Sequence, residues 1–336
     1  MEKSFDESKY LSLQREKILE RTRMFDKLYL EFGGKLLDDH HASRVLPGFR
    51  PDLKVSLLKE LKDSAEVIIC ISARALEAGK ERKDYGITYG EDLLRIVHHL
   101  RFDGIQVDSV VITMYEHQPK ADAFAEEAKA SKLKVYYYPV IEGYPTDVDK
   151  IVSENGFGKN PYIPTSKPLV VVTAPGPCSG KMATALSQVY HEVLAGKNTG
   201  YAKFETFPVW NLPVDHPVNL AYEAATADLG DVNMLDYFHK AAYGVDATNY
   251  NRDLEAFPIL RTILTRISKG NVCPYQSPTD MGVNMVGFCI TNDANVRSAS
   301  WQEIESRYVK AIADYQAGKG TMDAIERIEK IKEKKQ

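Results

Sequence analysis

Along most of this chain, short apolar, β-branched runs alternate with segments whose apolar residues recur at helical spacing. That alternation restricts the fold to βα units on a mostly parallel sheet. Val67–Ser72 is almost wholly apolar, as strands covered on both faces are. Glu91–Leu100 then follows with helical periodicity, Val107–Met114 is the next strand, Lys120–Ser131 the next helix and Lys134–Val140 a further strand. Upstream, Leu28–Leu37 reads as another strand, interrupted at Gly33-Gly34. Together these elements make a Rossmann-like layer, and the three consecutive tyrosines Tyr136, Tyr137 and Tyr138 suit a strand packed on both faces.

Between Glu142 and Pro168 the character changes: Gly143, Pro145, Gly156, Gly158, Pro161 and Pro164 mark a connection around one short helix. A second α/β unit follows, with strand Leu169–Thr173, helix Lys181–Leu194 and a further strand at Phe204–Val209. Residues 216–269 read as mainly helical, Met285–Thr291 as an apolar strand, and residues 301–336 as two helices. Met322, Ile325, Ile328 and Ile331 recur every three residues, a stripe that has to pack on something. The expected organisation is a Rossmann-like α/β domain over 1–160, a P-loop-like α/β domain with a helical insertion over 161–300, and C-terminal helices over 301–336.

The most chemically informative stretch is Leu169–Thr184, where a buried strand enters a turn rich in Gly, Pro and Ser and leaves as an amphipathic helix. Backbone N–H groups at such a helix start, helped by the helix dipole, favour phosphate. Glycine lets the main chain approach phosphate oxygens, and Lys181 supplies a point charge. The match to G-x-x-x-x-G-K-[ST] is partial: Pro175 holds the first glycine position, Gly176 comes one place late, and Met182 replaces the hydroxyl that touches magnesium. Ser179 and Thr184 are the substitutes available, although Thr184 lies nearly a turn further along. An ordinary strand-to-helix turn is the structural alternative. Cys178 sits where a helix start lowers a thiol's pKa, but no base is assigned beside it.

Ala174-Pro-Gly-Pro-Cys-Ser-Gly-Lys-Met-Ala-Thr184, Phe32-Gly-Gly-Lys-Leu-Leu-Asp-Asp39 and Arg44-Val-Leu-Pro-Gly-Phe49 resemble the bacterial uncharacterised protein family 0371, also called the domain-of-unknown-function 1846 family. Asp215–Asp228, Asn249–Asp253 and Ser277–Met285 extend the resemblance over nearly the whole chain. It implies a bacterial α/β protein that forms homo-oligomers, supplies no settled reaction, and implies longer members with a further α/β domain beyond the point where this chain ends.

Other polar groups are candidates for the same site. Asp215, His216, Asn219 and Glu223 stand where a loop enters a helix; Asn219 and Glu223 share a helix face and can hold a metal-bound water or a substrate hydroxyl, while the favoured alternative for Asp215 is a helix cap, with Pro217 in the first turn. Arg252 can clamp a phosphate and Asp253 can orient water or magnesium; Asn251 and Asp253 are alternatively helix caps. Asp280 and Asn284 lie in a polar turn before an apolar run. Asp38-Asp39-His40-His41 lacks metal-ligand spacing and reads as a solvated turn; His98-His99 complements a helix C-terminus.

Composition narrows the partners. A net charge of -4 offers no general attraction to nucleic acid or to anionic membranes. No apolar run approaches the roughly 20 residues that span a bilayer, and residues 1–23 lack the core of a signal peptide. Cys70, Cys178, Cys273 and Cys289 are widely spaced, which suits reduced thiols and the cytoplasm. The expectation is a protein that binds ATP, GTP or another small phosphate-bearing ligand, with magnesium as a possible companion, and acts as a slow nucleoside-triphosphate hydrolase or phosphotransferase. Gly176, Cys178, Ser179, Gly180, Lys181, Met182, Thr184, Arg252 and Asn284 would bind, and Lys181 with Asp215, Asp253 or Asp280 would serve the chemistry. Two rivals are an enzyme acting on a phosphorylated metabolite or dinucleotide without triphosphate cleavage, and a non-catalytic oligomeric sensor.

Overall fold

The computed structural model describes residues 2–82, 84–269 and 273–335. Its centre is a parallel sheet of six strands: β1 (Lys27–Phe32), β2 (Ala65–Ser72), β5 (Gln106–Tyr115), β6 (Lys134–Pro139), β7 (Leu169–Thr173) and β8 (Thr199–Phe204). A short hairpin of β3 (Glu81–Arg82) and β4 (Ile87–Thr88) lies between β2 and β5, and a small ribbon of β9 (Asn233–Leu235) and β10 (Thr248–Tyr250) lies outside the sheet. Strand order across the sheet is β6-β5-β2-β7-β1-β8. β1 pairs only with β7 and β8, so the sheet runs unbroken across the boundary expected near residue 160.

Each sheet face carries its own core. On one side Leu28, Leu30, Val67, Ile69, Ile71, Val110, Ile112 and Val171 pack with helices Leu53–Leu61, Tyr89–Phe102 and Pro119–Ala130. On the other, Tyr29, Ile68, Cys70, Val111, Val170, Val172 and Tyr201 meet helices Lys181–Leu194 and Asn251–Ile267. Burial on both faces explains why β1, β2 and β7 are buried at every position. Tyr137 packs against the first core and Tyr136 and Tyr138 against the second, as expected of a strand covered on both sides.

A third core joins the chain start to the helices that follow the sheet: Phe5, Tyr10, Phe49, Phe207, Val218 and Ile304 pack with Ile328 and Ile331. Ile325, Ile328 and Ile331 of helix Met322–Glu333 are buried, whereas Met322 is exposed. The tail stripe is therefore covered within the chain.

Four local expectations change. The strand expected at Phe204–Val209 is instead Thr199–Phe204, because Pro208 has no N–H for a ladder. Met285–Thr291 is not a strand: Val286–Cys289 forms a 3-10 turn, and Ile290 alone bridges Phe5. Residues 216–269 are interrupted by the β9–β10 ribbon. Asp38–His41 is no solvated turn, since Asp39 caps helix His40–Val45 and pairs with buried Lys54 at 2.9 Å, while His41 contacts Glu303.

Candidate functional site at the C-terminal edge of the sheet

From β2 the chain leaves toward β5, and from β7 it leaves toward β8, in the opposite direction. Helices therefore fall on opposite faces, and the C-terminal ends of β2 and β7 form the topological switch point, the place where open α/β sheets bind ligands. The loop Ala174–Gly180 leaves β7 at this switch point. Of the six non-glycine residues with positive φ among those described, Met114 lies near the C-terminal end of β5, and Asp38, His117 and Cys178 lie in the segments that follow β1, β5 and β7 at this edge. Such conformations cost of order 1–3 kcal/mol each and cluster at functional sites.

The loop has the features of an anion cradle. Cys178 (φ 54°) and Gly180 (φ 78°) are left-handed on either side of Ser179, and Lys181 opens a 14-residue helix. Alternation of this kind turns successive N–H groups toward one side. Among the described residues, the N–H groups of Gly176, Cys178, Ser179, Gly180, Lys181 and Met182 donate to no protein acceptor. Half-buried Lys181 forms no ion pair with a described carboxylate. Surrounding groups hold the loop: Thr113 Oγ1 donates to the Ser179 carbonyl at 2.9 Å, and Ser179 Oγ donates to the Gly176 carbonyl at 3.0 Å. A Cβ at Gly176 would lie 2.4 Å from the Tyr89 ring, so only glycine fits there.

Not every loop residue is exposed. Thr184 is fully buried beside the Cys70 thiol, which burial pushes up to about 12, and Met182 packs against the second core. Cys178 is exposed. The other expected site residues are held by protein partners. Arg252 grips Asp231 through Nε and Nη2 and lies over the Tyr250 ring. Asp280 accepts from Tyr243 and the Gln276 N–H. The Asn284 amide holds the carbonyls of Thr206 and Pro208 at 3.1 and 3.2 Å. Asn219 clamps the main chain of Val209, Glu223 accepts from Asn233, and Asp215 is exposed, the cap being His216.

Asp253 belongs to a second group, at the end of β8, whose other members sequence reading missed. Lys203 Nζ lies 2.5 Å from Asp253 and 3.6 Å from Glu205. Tyr250 Oη donates to both Glu205 oxygens, at 2.9 and 2.8 Å, and Tyr201 Oη donates to Glu31 at 2.6 Å. Burial pushes the Glu205 carboxyl up to about 7; Lys203 opposes this and Asp253 adds to it. The Lys203 ammonium is held above its usual range because Asp253 and Glu205 outweigh its desolvation. A small cavity of about 40 Å³ is lined by Lys203, Glu205, Trp210, Asn249, Asp253 and Thr279. The signal for this group was the alternation Lys203-x-Glu205 at a strand end, hidden by placing the strand five residues late. Among the described residues, no three His, Cys, Asp or Glu side chains are placed to hold a metal ion. No described helix is long and apolar enough to cross a membrane.

Comparison with known proteins agrees with the resemblance carried by the loop. A UPF0371 protein of Streptococcus pyogenes serotype M5 (strain Manfredo) is 55% identical over 327 residues, covering 97% of this chain and 66% of that protein. The same figures hold for a UPF0371 protein of Streptococcus equi subsp. equi (strain 4047). This chain thus spans a little under two thirds of the length of these relatives. The model described as "Domain of unknown function DUF1846, N-terminal" matches residues 3–336, and the chain belongs to that family.

Proposed function

We propose that the protein binds a nucleotide such as ATP, or a ligand of the same phosphate chemistry, with its phosphates on the Gly176–Lys181 backbone and Lys181. The observation that carries this reading is the row of N–H groups at a helix start without acceptors among the described residues, beside a lysine without a described carboxylate, at the switch point of the sheet. An anionic ligand satisfies those donors together, and Lys181 offsets charge that builds up during phosphoryl transfer. Magnesium would enter on the phosphates. Of the two strands beside β7, β2 ends in Ser72 and β1 offers Glu31, which already accepts from Tyr201, so binding is better supported than rapid triphosphate cleavage.

A second reading, an enzyme acting on a phosphorylated metabolite without triphosphate cleavage, is favoured by the Lys203–Glu205–Asp253–Tyr250 group. Groups of this kind, with a carboxyl near neutrality, suit proton transfer. Self-association is implied by the family resemblance, and light scattering with and without nucleotide tests it.

The decisive experiment is a thermal-shift screen of nucleotides and phosphorylated metabolites on the wild type and on Lys181→Ala. A ligand at about 100-fold excess over Kd stabilises by roughly 2.7 kcal/mol. The reading predicts such a shift in the wild type and its loss in the variant. A screen in which no phosphate-bearing compound shifts the wild type sinks it.

A further inference from the structure

The loop at β7 and the carboxylate group at β8 stand at the same edge of the sheet with only β1 between them. Two strand spacings amount to about 10 Å, the reach of a nucleoside phosphate rather than of inorganic phosphate. The Glu205 side chain bends back across β1: an ideal Cβ at Gly33 would fall 2.6 Å from its Cγ and 2.7 Å from Oε1. Gly33 in turn is fixed to β8 by its N–H, which donates to the Phe204 carbonyl at 2.8 Å. The absence of a side chain at position 33 is what lets the carboxylate lie over the end of β1, on the side toward the phosphate loop. The neighbouring cavity of about 40 Å³ has room for a small polar group.

We infer, on the strength of the phosphate-binding reading above, that Glu205 is the second contact of the same ligand, holding a hydroxyl or amino group remote from the phosphates, and that binding of an anionic ligand draws a proton onto this carboxylate. Charged and titratable groups face Glu205 from every side: Lys203 and Tyr201 on β8, Glu31 on β1, Tyr250 on β10, Asp253 in helix Asn251–Ile267, and Tyr222 in helix Pro217–Ala225. Lys203 is the cation of the group and is already shared with Asp253. Further negative charge at this edge of the sheet therefore meets a carboxylate with no unshared cation beside it, and protonation relieves the repulsion.

The test is calorimetric titration of wild type, Glu205→Gln, Tyr250→Phe and Lys181→Ala with ATP and with ADP at pH 7.5, in Tris and in Hepes. Since Glu205 titrates at about 7, a further rise of about one unit on binding corresponds to uptake of about half a proton by the wild type. Glu205→Gln should bind within about tenfold of wild type and lose that uptake, whereas proton exchange by the nucleotide itself persists in both. Tyr250→Phe removes a donor to the carboxylate and should move maximal uptake to higher pH, a readout independent of how well Glu205→Gln folds. Equal uptake in wild type and Glu205→Gln, or an unmoved maximum in Tyr250→Phe, overturns the inference alone. Binding of neither nucleotide by the wild type overturns the inference together with the nucleotide form of the phosphate reading.

Discussion

The Thr113 hydroxyl, near the end of β5, donates to the carbonyl of Ser179 at 2.9 Å, and the same side chain occupies the space into which any Cβ at Gly180 would project. One contact thus sets both the height of the Ala174–Gly180 loop and the identity of its last residue. Thr113→Val should leave a buried carbonyl unpaired and destabilise the protein by about 1–2 kcal/mol. Gly180→Ala adds a left-handed alanine to a 2.8 Å clash and should cost about 2 kcal/mol. Urea unfolding measures both, and each variant should shift less with nucleotide than the wild type does.

Gly33 controls Glu205. Because Gly33 itself has an ordinary negative φ, Gly33→Ala strains no backbone and acts through its Cβ on the carboxylate. The folded Glu205 carboxyl titrates at about 7, above an unfolded value of about 4.3. Its contribution to stability is therefore fully present below about 4.3 and is lost as pH rises through about 7. Glu205→Gln should flatten the fall in unfolding free energy between pH 5 and pH 8, by an amount on the order of 2 kcal/mol. Gly33→Ala should flatten it in part; an unchanged slope in both variants refutes the assignment.

Glu303 ties the third core together by accepting from Arg44 at 2.6 and 3.0 Å, Arg307 at 2.7 Å and His41 at 3.4 Å. Burial alone would raise its carboxyl; the hydrogen bonds from His41 and Arg44 and the charge of Arg307 overcome that and hold it down at about 2. A depressed carboxyl stabilises fully above its unfolded value of about 4.3 and loses that contribution as pH falls toward about 2. Glu303→Gln should cost about 2–3 kcal/mol at pH 7, at the low end for a buried pair because Arg44 is partly exposed. The deficit should shrink at pH 3, as denaturant titrations at the two pH values would record.

Ile328, buried in helix Met322–Glu333, ties the tail to the core around Val218 and Ile304. Ile328→Ala should cost about 2–4 kcal/mol, whereas Met322→Ala, at an exposed site on the same stripe, should cost less than about 0.5 kcal/mol. Equal effects in chemical denaturation would mean that the tail packs elsewhere.

What could be read from the residues follows from the range of the forces involved. The strands Ala65–Ser72 and Leu169–Thr173 were legible because a strand buried on both faces needs apolar side chains at nearly every position. Thr199–Phe204 escaped notice: Gly200 makes room for the Phe25 ring, and Lys203 is neutralised by a carboxylate 50 residues away, so neither looks like a strand residue until its partner is known. Asp39 and His41 misled for the same reason, their partners Lys54 and Glu303 being remote in sequence. The Ala174–Lys181 loop between β7 and its following helix was legible because the residues that mark it are consecutive. Glu205 was not, because its surroundings come from β1, β8, β10 and helix Asn251–Ile267.

The pairing of β1 bears on how the chain is made. Both of its partners, β7 and β8, lie after residue 168. While β2, β5 and β6 can assemble in order as they leave the ribosome, an apolar strand made near the start has to wait, with both edges open, for about 140 residues of synthesis. Nascent chains are most exposed to aggregation over that interval. The segment that ends it is the strand leading into the Ala174–Gly180 loop, so the first cover for β1 and the loop proposed to bind phosphate arrive in the same step of translation.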